Sequence, residues 1–363
     1  MKIHNPYIDE INDIFQQFAN EDGVQILNEL NAKKHWETLV KMTKRFGTSI
    51  VDLNSAFELE MFKKTGWIEF RIFADPEINA FAYAEDQMQL LEINFGTLYL
   101  IRDSFFTLFS IPEFLPQIGN SKLEKTQIEK FRENLDTNTR EPNYFKYLPN
   151  CPIRQKCADE MSTTAVQFIY AHEATHLVKC HTQYESNRYG IKRYSEIKDF
   201  GKDINRAFDS RSFELQADEG GMSFSMMYFS RLLQTDSKEI FKPYSFYLIW
   251  IITIEILFKL LNPNDSYEDD QFDTHPNSFI RTMHLFELSI LDAIDLGLVK
   301  DEKQAVEVFD KSFNLIEEIL SKNSFLPYSS GPFKVNQNKM KEYRLNVVTV
   351  SYTHLTLPTI LLV

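Results

Sequence analysis

The chain has 363 residues, 43% of them hydrophobic and 31 of them Phe, enough apolar material for a large core in one catalytic domain with helical additions rather than in two independent domains. Its 39 basic and 52 acidic side chains leave a formal charge of −13, which argues against nucleic acid or an anionic membrane as partner and leaves basic or neutral protein substrates open. The start, Met1-Lys2-Ile3-His4-Asn5-Pro6, has no apolar signal core, and Cys151, Cys157 and Cys180 are odd in number without zinc-ribbon spacing, so reduced thiols and a cytoplasmic location are expected.

In chain order, residues 9–30 and 32–45 have helical amphipathic spacing and make region 1–66 a helical cap or partner surface. From Trp67 the pattern changes to apolar and aromatic runs at 67–73, 80–83 and 87–94, which predict a small antiparallel sheet. An exposed edge of that sheet would accept a peptide as an added strand, with Asn79 or Ala80 lining the cleft; turn residues joining core strands are the plainer alternative. Residues 96–110 resume helical spacing, and 117–142 read as a solvated connector or flap. Residues 161–181 contain neither Gly nor Pro and repeat Ala165, Ile169, His172, His176 and Cys180 at helical spacing, which predicts a helix with Cys180 buried. A polar insert at 184–208 is a place for recognition or gating. Asp209 and Ser210 are N-cap candidates for a helix through residues 213–218, leading into the apolar run 222–233.

Residues 244–261 are long enough to span a bilayer, but Glu255 and Lys259 would each cost about 2.5–3.5 kcal/mol at a membrane helix centre. The reading is a core helix, the two charges forming a salt bridge on an exposed or partly exposed edge, with no stable membrane insertion. Residues 266–273 form an acidic solvated turn, and 285–298 and 301–321 are amphipathic helices. The organisation expected is a helical region 1–66, a catalytic domain 67–300 and a helical region 301–349, in a predominantly helical α+β fold. Residues 350–363 read as the translation of a sequencing adapter, which predicts that this stretch is not native.

The chemistry is carried by His172-Glu173-Ala174-Thr175-His176. Residues four apart share a helix face, so the two imidazoles converge on one cation while Glu173 projects toward a metal-bound water. Such a five-residue match has a chance probability on the order of one per cent in a chain of this composition. A zinc peptidase needs a third protein ligand and an open fourth position. Glu214 is the candidate, and Asp218, one turn on, is placed to accept a hydrogen bond from the free ring nitrogen of His172 or His176; the plainer reading is a solvated carboxylate pair. Downstream, Thr274-His275-Pro276 predicts a ring presented from a loop that opens a helix containing Arg281. His275 would donate to a developing oxyanion and Arg281 would hold Asp218 or another carboxylate; a surface turn is the alternative.

The order HExxH, then Glu-x-x-Ala-Asp, then Thr-His-Pro followed by Arg resembles the Lit-type phage-exclusion peptidases and, more distantly, the HtpX and CAAX-prenyl endopeptidase group of glutamate-liganded zinc peptidases. The resemblance covers roughly residues 67–285 and also touches residues 78–82 and 90–98. It implies a zincin-like fold, with the sheet beside the HExxH helix, a bound Zn2+ and endopeptidase activity. In the Lit-type branch it also implies phage defence through cleavage of a host translation factor. The mechanism expected is that His172, His176 and Glu214 hold zinc, Glu173 takes a proton from the attacking water and passes it to the leaving amine, and His275 assists the oxyanion. Two other classes stand beside it: an inactive, zinc-stabilised protein-binding module, and a membrane-associated peptidase of the HtpX kind using residues 244–261.

Overall fold

The computed structural model describes residues 8–26, 67–75, 77–85, 88–125, 147–191, 193–195, 203–232, 243–261 and 274–323. The chain divides into two compact units, one of Met1–Gln127 with Arg132–Glu196 and one of Ile128–Phe131 with Ile197–Val363, so the expected catalytic stretch 67–300 draws on both. Eight α-helices and one small sheet among the described residues make the architecture α+β and predominantly helical.

In the first unit, helix α1 (Ile8–Glu21) turns Ile11, Phe15 and Ala19 onto one face and buries them against Phe73, Tyr83 and Leu90. It stops at Glu21 rather than at residue 30 because Gly23 adopts φ +68° and the Val24 N–H reaches back to the Ala19 carbonyl at 2.8 Å, which closes the helix. The second expected helix, 32–45, lies outside the described residues. Strands β1 (Trp67–Phe73), β2 (Ala80–Glu85) and β3 (Met88–Asn94) follow the predicted runs, and a fourth strand, β4 (Arg193–Ser195), joins them in the order β1-β3-β2-β4.

The sheet is mixed, not antiparallel. Strand β3 occupies the slot between β2 and β1 and runs antiparallel to β2 and parallel to β1. At the β4 edge, the Arg193 guanidinium donates to Glu92 at 2.6 Å and to Asp22 at 2.9 Å while lying 3.8 Å over the Phe81 ring. Burial pushes the Glu92 carboxyl up from 4.5 to about 7, the charge of Arg193 opposing the rise.

Helix α2 (Phe95–Ser110) packs along α3 (Pro152–Val178), whose other neighbours include β2 and β3, and Phe70 meets Tyr170 edge-on at 5.5 Å. Helix α3 starts well before residue 161. Pro152 occupies the first turn, where its fixed φ suits the helix and its missing N–H costs nothing. From Cys157 onward the helix is almost entirely buried although it carries many polar side chains, among them Glu160, Gln167, His172, Glu173 and His176. Cys180 then adopts φ 61°, ψ 26°, and α4 (His181–Tyr189) begins; this helix and β4 fill part of the expected polar insert 184–208. All three cysteines are free, but Cys180 is exposed rather than buried, because the helix ends at Val178 and the left-handed turn swings it outward.

In the second unit, α5 (Ile204–Leu232) starts earlier than Asp209 and Ser210 suggested. Its cap is Asp203, whose Oδ1 accepts the Asn205 N–H at 2.8 Å, and Asp209 and Ser210 are buried inside the helix. Helix α6 (Pro243–Leu261) is the predicted core helix and packs on α7 (Ser278–Asp295) and α8 (Glu302–Asn323). Its Glu255 is buried, a correction to the exposed or partly exposed edge expected for it, whereas Lys259 is half-buried. Polar pins cross these helices: Trp250 Nε1–H to Ser225 Oγ at 2.9 Å, and Tyr247 OH with Ser289 Oγ at 2.8 Å. No helix among the described residues is long and apolar enough to cross a membrane. The segments 266–273 and 324–363 lie outside the described residues.

Candidate metal centre

The last two turns of α3 place His172 and His176 on one face, and their Nε2 atoms stand 3.1 Å apart. Both rings are 1% exposed, as is Glu173 between them in sequence. Phe168, one turn upstream, stacks on the His172 ring with centroids 6.3 Å apart and gives that face an aromatic wall. The other side of the His176 ring is taken up as well: its Nδ1 lies 3.1 Å from Nδ1 of His181. His181 escaped the sequence reading because a continuous helix would carry residue 181 more than a turn beyond residue 176. The left-handed residue at 180 folds it back.

Glu214 and Asp218 sit one turn apart on α5, both at 0% exposure. Arg281, projecting from α7, grips Asp218 with two parallel bonds, Nε to Oδ2 at 2.8 Å and Nη2 to Oδ1 at 2.7 Å, and lies 4.2 Å over the Phe258 ring. The same Nη2 is 3.7 Å from Glu214 Oε2. Residues 274–277 precede α7 as the predicted loop, and the Asn277 side chain caps that helix by accepting the Phe279 N–H at 2.8 Å. This brings His275 Nε2 to 3.3 Å from Glu214 Oε2, with Thr274 Oγ1 3.1 Å from the other ring nitrogen.

Arg281 therefore holds Asp218 as its type and spacing suggested. Asp218, expected to orient an imidazole, pairs with Arg281, and His176 has ring contacts with both His172 and His181. His275, expected to face a developing oxyanion, is 2% exposed and has its Nε2 3.3 Å from Glu214 Oε2. Asn79 and Ala80, offered as cleft residues, belong to the sheet's local bonding. The Asn79 N–H donates to Thr97 Oγ1 at 2.7 Å, its Oδ1 accepts the Ala80 N–H at 2.9 Å, and Ala80 is fully buried.

His172, His176 and Glu214, all buried, form a group that could hold a metal ion, with ligand atoms all within 4.8 Å of one another. Two imidazole nitrogens and one carboxylate oxygen are a donor set suited to a first-row divalent cation. Arg281 is committed to Asp218 in a two-point pair at 2.7 and 2.8 Å, against 3.7 Å from its Nη2 to Glu214 Oε2. Comparison with known proteins finds no family model, curated protein or solved structure that matches the chain.

Proposed function

We propose that the chain is a zinc-dependent endopeptidase in which His172, His176 and Glu214 hold the ion and Glu173 is the general base. The observation that carries this reading is the buried two-imidazole, one-carboxylate group. Ring spacing is compatible with zinc: two nitrogens at about 2.0–2.1 Å from one tetrahedral ion stand roughly 3.3 Å apart, against the 3.1 Å between the two Nε2 atoms. When bound, such an ion supplies Lewis acidity, acidifying water and polarising a carbonyl.

The remaining work falls to the chain's own residues. Glu173 takes a proton from the attacking water and delivers it to the leaving amine, and its burial excludes bulk water that would compete for that proton. His275 and Arg281 flank Glu214 Oε2 at 3.3 and 3.7 Å and restrict the directions in which that carboxylate can turn. The motif order shared with the Lit-type peptidases extends the proposal to a protein substrate cut in phage defence. The test compares new peptide termini in host lysate treated with wild type and with Glu173→Gln, alongside metal analysis of both proteins. The expected result is zinc in both and cleavage by wild type alone. Full cleavage by Glu173→Gln refutes the base, and zinc without any cleavage by wild type points to a zinc-stabilised binding module.

A further inference from the structure

We propose that His181 is a positioning residue: it fixes the tautomer and direction of His176 by accepting a hydrogen bond, an inference that rests on the metal-site reading above.

Three imidazoles stand in a row in the first unit. His172 and His176 meet through their Nε2 atoms at 3.1 Å, and His176 and His181 meet through their Nδ1 atoms at 3.1 Å. A neutral imidazole has one N–H and one bare nitrogen. At the Nδ1–Nδ1 contact one ring donates and the other accepts, so the neutral His176–His181 pair has two settings. In one, His176 donates from Nδ1 to His181 and its Nε2 lone pair is bare. In the other, His181 donates to His176 Nδ1 and the proton of His176 sits on Nε2, where it blocks coordination. Only the first setting is competent for a metal, and it requires His181 to be an acceptor at Nδ1 with its own proton on Nε2.

The local backbone is built for this contact. The turn at Cys180 uses a left-handed conformation that a non-glycine residue adopts at a cost of about 1 kcal/mol or more. That turn seats His181 at the start of α4, 3% exposed and with its ring 5.1 Å from the His176 ring. Fixing a ligand ring through its second nitrogen typically changes metal affinity by about 10–100-fold.

Asn places its side-chain oxygen close to where His carries Nδ1, so it can accept the same bond; Phe fills the ring volume but accepts nothing. The experiment measures Zn2+ affinity of the full chain by chelator competition in wild type, His181→Phe and His181→Asn, with circular dichroism as the fold control. His181→Phe is expected to bind about 10–100-fold more weakly, and His181→Asn to recover most of that loss. Nitrogen-detected NMR of zinc-loaded wild type is expected to show His176 protonated at Nδ1 and His181 at Nε2, a readout that remains if His181→Phe does not fold. Equal affinity of His181→Phe and wild type, or a proton on His181 Nδ1 in the loaded protein, overturns the inference while leaving the metal site intact. Wild type that takes up no Zn2+ at all overturns the metal-site reading and this inference with it.

Discussion

Helix α3 carries dense buried polarity at both ends, and the ends differ in where that polarity is directed. At the first turn, Arg154 is 0% exposed and every N–H of its guanidinium group is answered: Nε by the Phe109 carbonyl, Nη1 by Leu115 and Ile118, and Nη2 by Ile111 and Phe114, at 2.7–3.1 Å. Glu124 stands 3.7 Å from the same group and accepts the Asn150 and Cys151 N–H groups at the helix start. At the last turns, His172 and His176 aim ring nitrogens at one another. A polar group answered wholly by backbone acts as a fastener. Polar groups whose lone pairs converge can receive a guest, and burial alone does not separate the two cases.

The largest effect that would break this comparison is at Arg154. Replacing it with Met leaves five carbonyls and the Glu124 carboxylate buried without their cation. A loss of about 5 kcal/mol or more in urea unfolding is expected, since leaving one buried partner uncompensated already costs about 3–5 kcal/mol. A loss below about 1 kcal/mol would mean that the guanidinium is dispensable and the contrast between the ends is false.

Glu92 lies between these extremes. Its Oε1 takes the Arg193 bond at 2.6 Å, while Oε2 is buried with no hydrogen bond. Half-satisfied burial explains why the carboxyl rises from 4.5 to about 7 despite the adjacent guanidinium. The raised value means that the folded state holds this proton more tightly than the unfolded chain. The resulting stability is fully present below 4.5 and is lost as pH rises through about 7. At about 1.4 kcal/mol per pH unit, the stability of wild type relative to Glu92→Gln should fall by about 3 kcal/mol between pH 4 and pH 8. Parallel pH profiles for the two proteins would show that Glu92 is as well answered as Arg154.

Those cases mark where the sequence was legible. Periodicity alone exposed the His172–His176 pair, because both ligands lie within one helix and their geometry follows from the 3.6-residue turn. It also gave the one-turn spacing of Glu214 and Asp218, and the charge of Arg281 suggested its carboxylate partner. The parallel pairing of β1 with β3 was not legible, since it depends on β3 entering between two earlier strands. Arg154 gave no signal because its partners are carbonyls 36 to 45 residues away, and any residue type supplies a carbonyl. His181 and the exposed Cys180 were missed for one shared reason, the end of α3 at Val178 and the turn that follows.

That turn supplies the smallest effect, and it joins the fold to the site. Cys180 is exposed, so a surface substitution there should ordinarily change stability by no more than about 0.5 kcal/mol. Its φ of 61° alters the expectation, because a β-branched side chain is poorly tolerated in the left-handed region. Cys180→Val should cost about 1–2 kcal/mol in thermal unfolding. Cys180→Gly should stay within about 0.5 kcal/mol of wild type, the relieved strain being offset by the greater freedom of glycine in the unfolded chain. A turn that relaxes under Cys180→Val also moves His181 away from His176, so this variant should weaken Zn2+ binding where Cys180→Gly does not. Equal stability and equal affinity across the pair would mean that the conformation at residue 180 is not what holds the third imidazole in line.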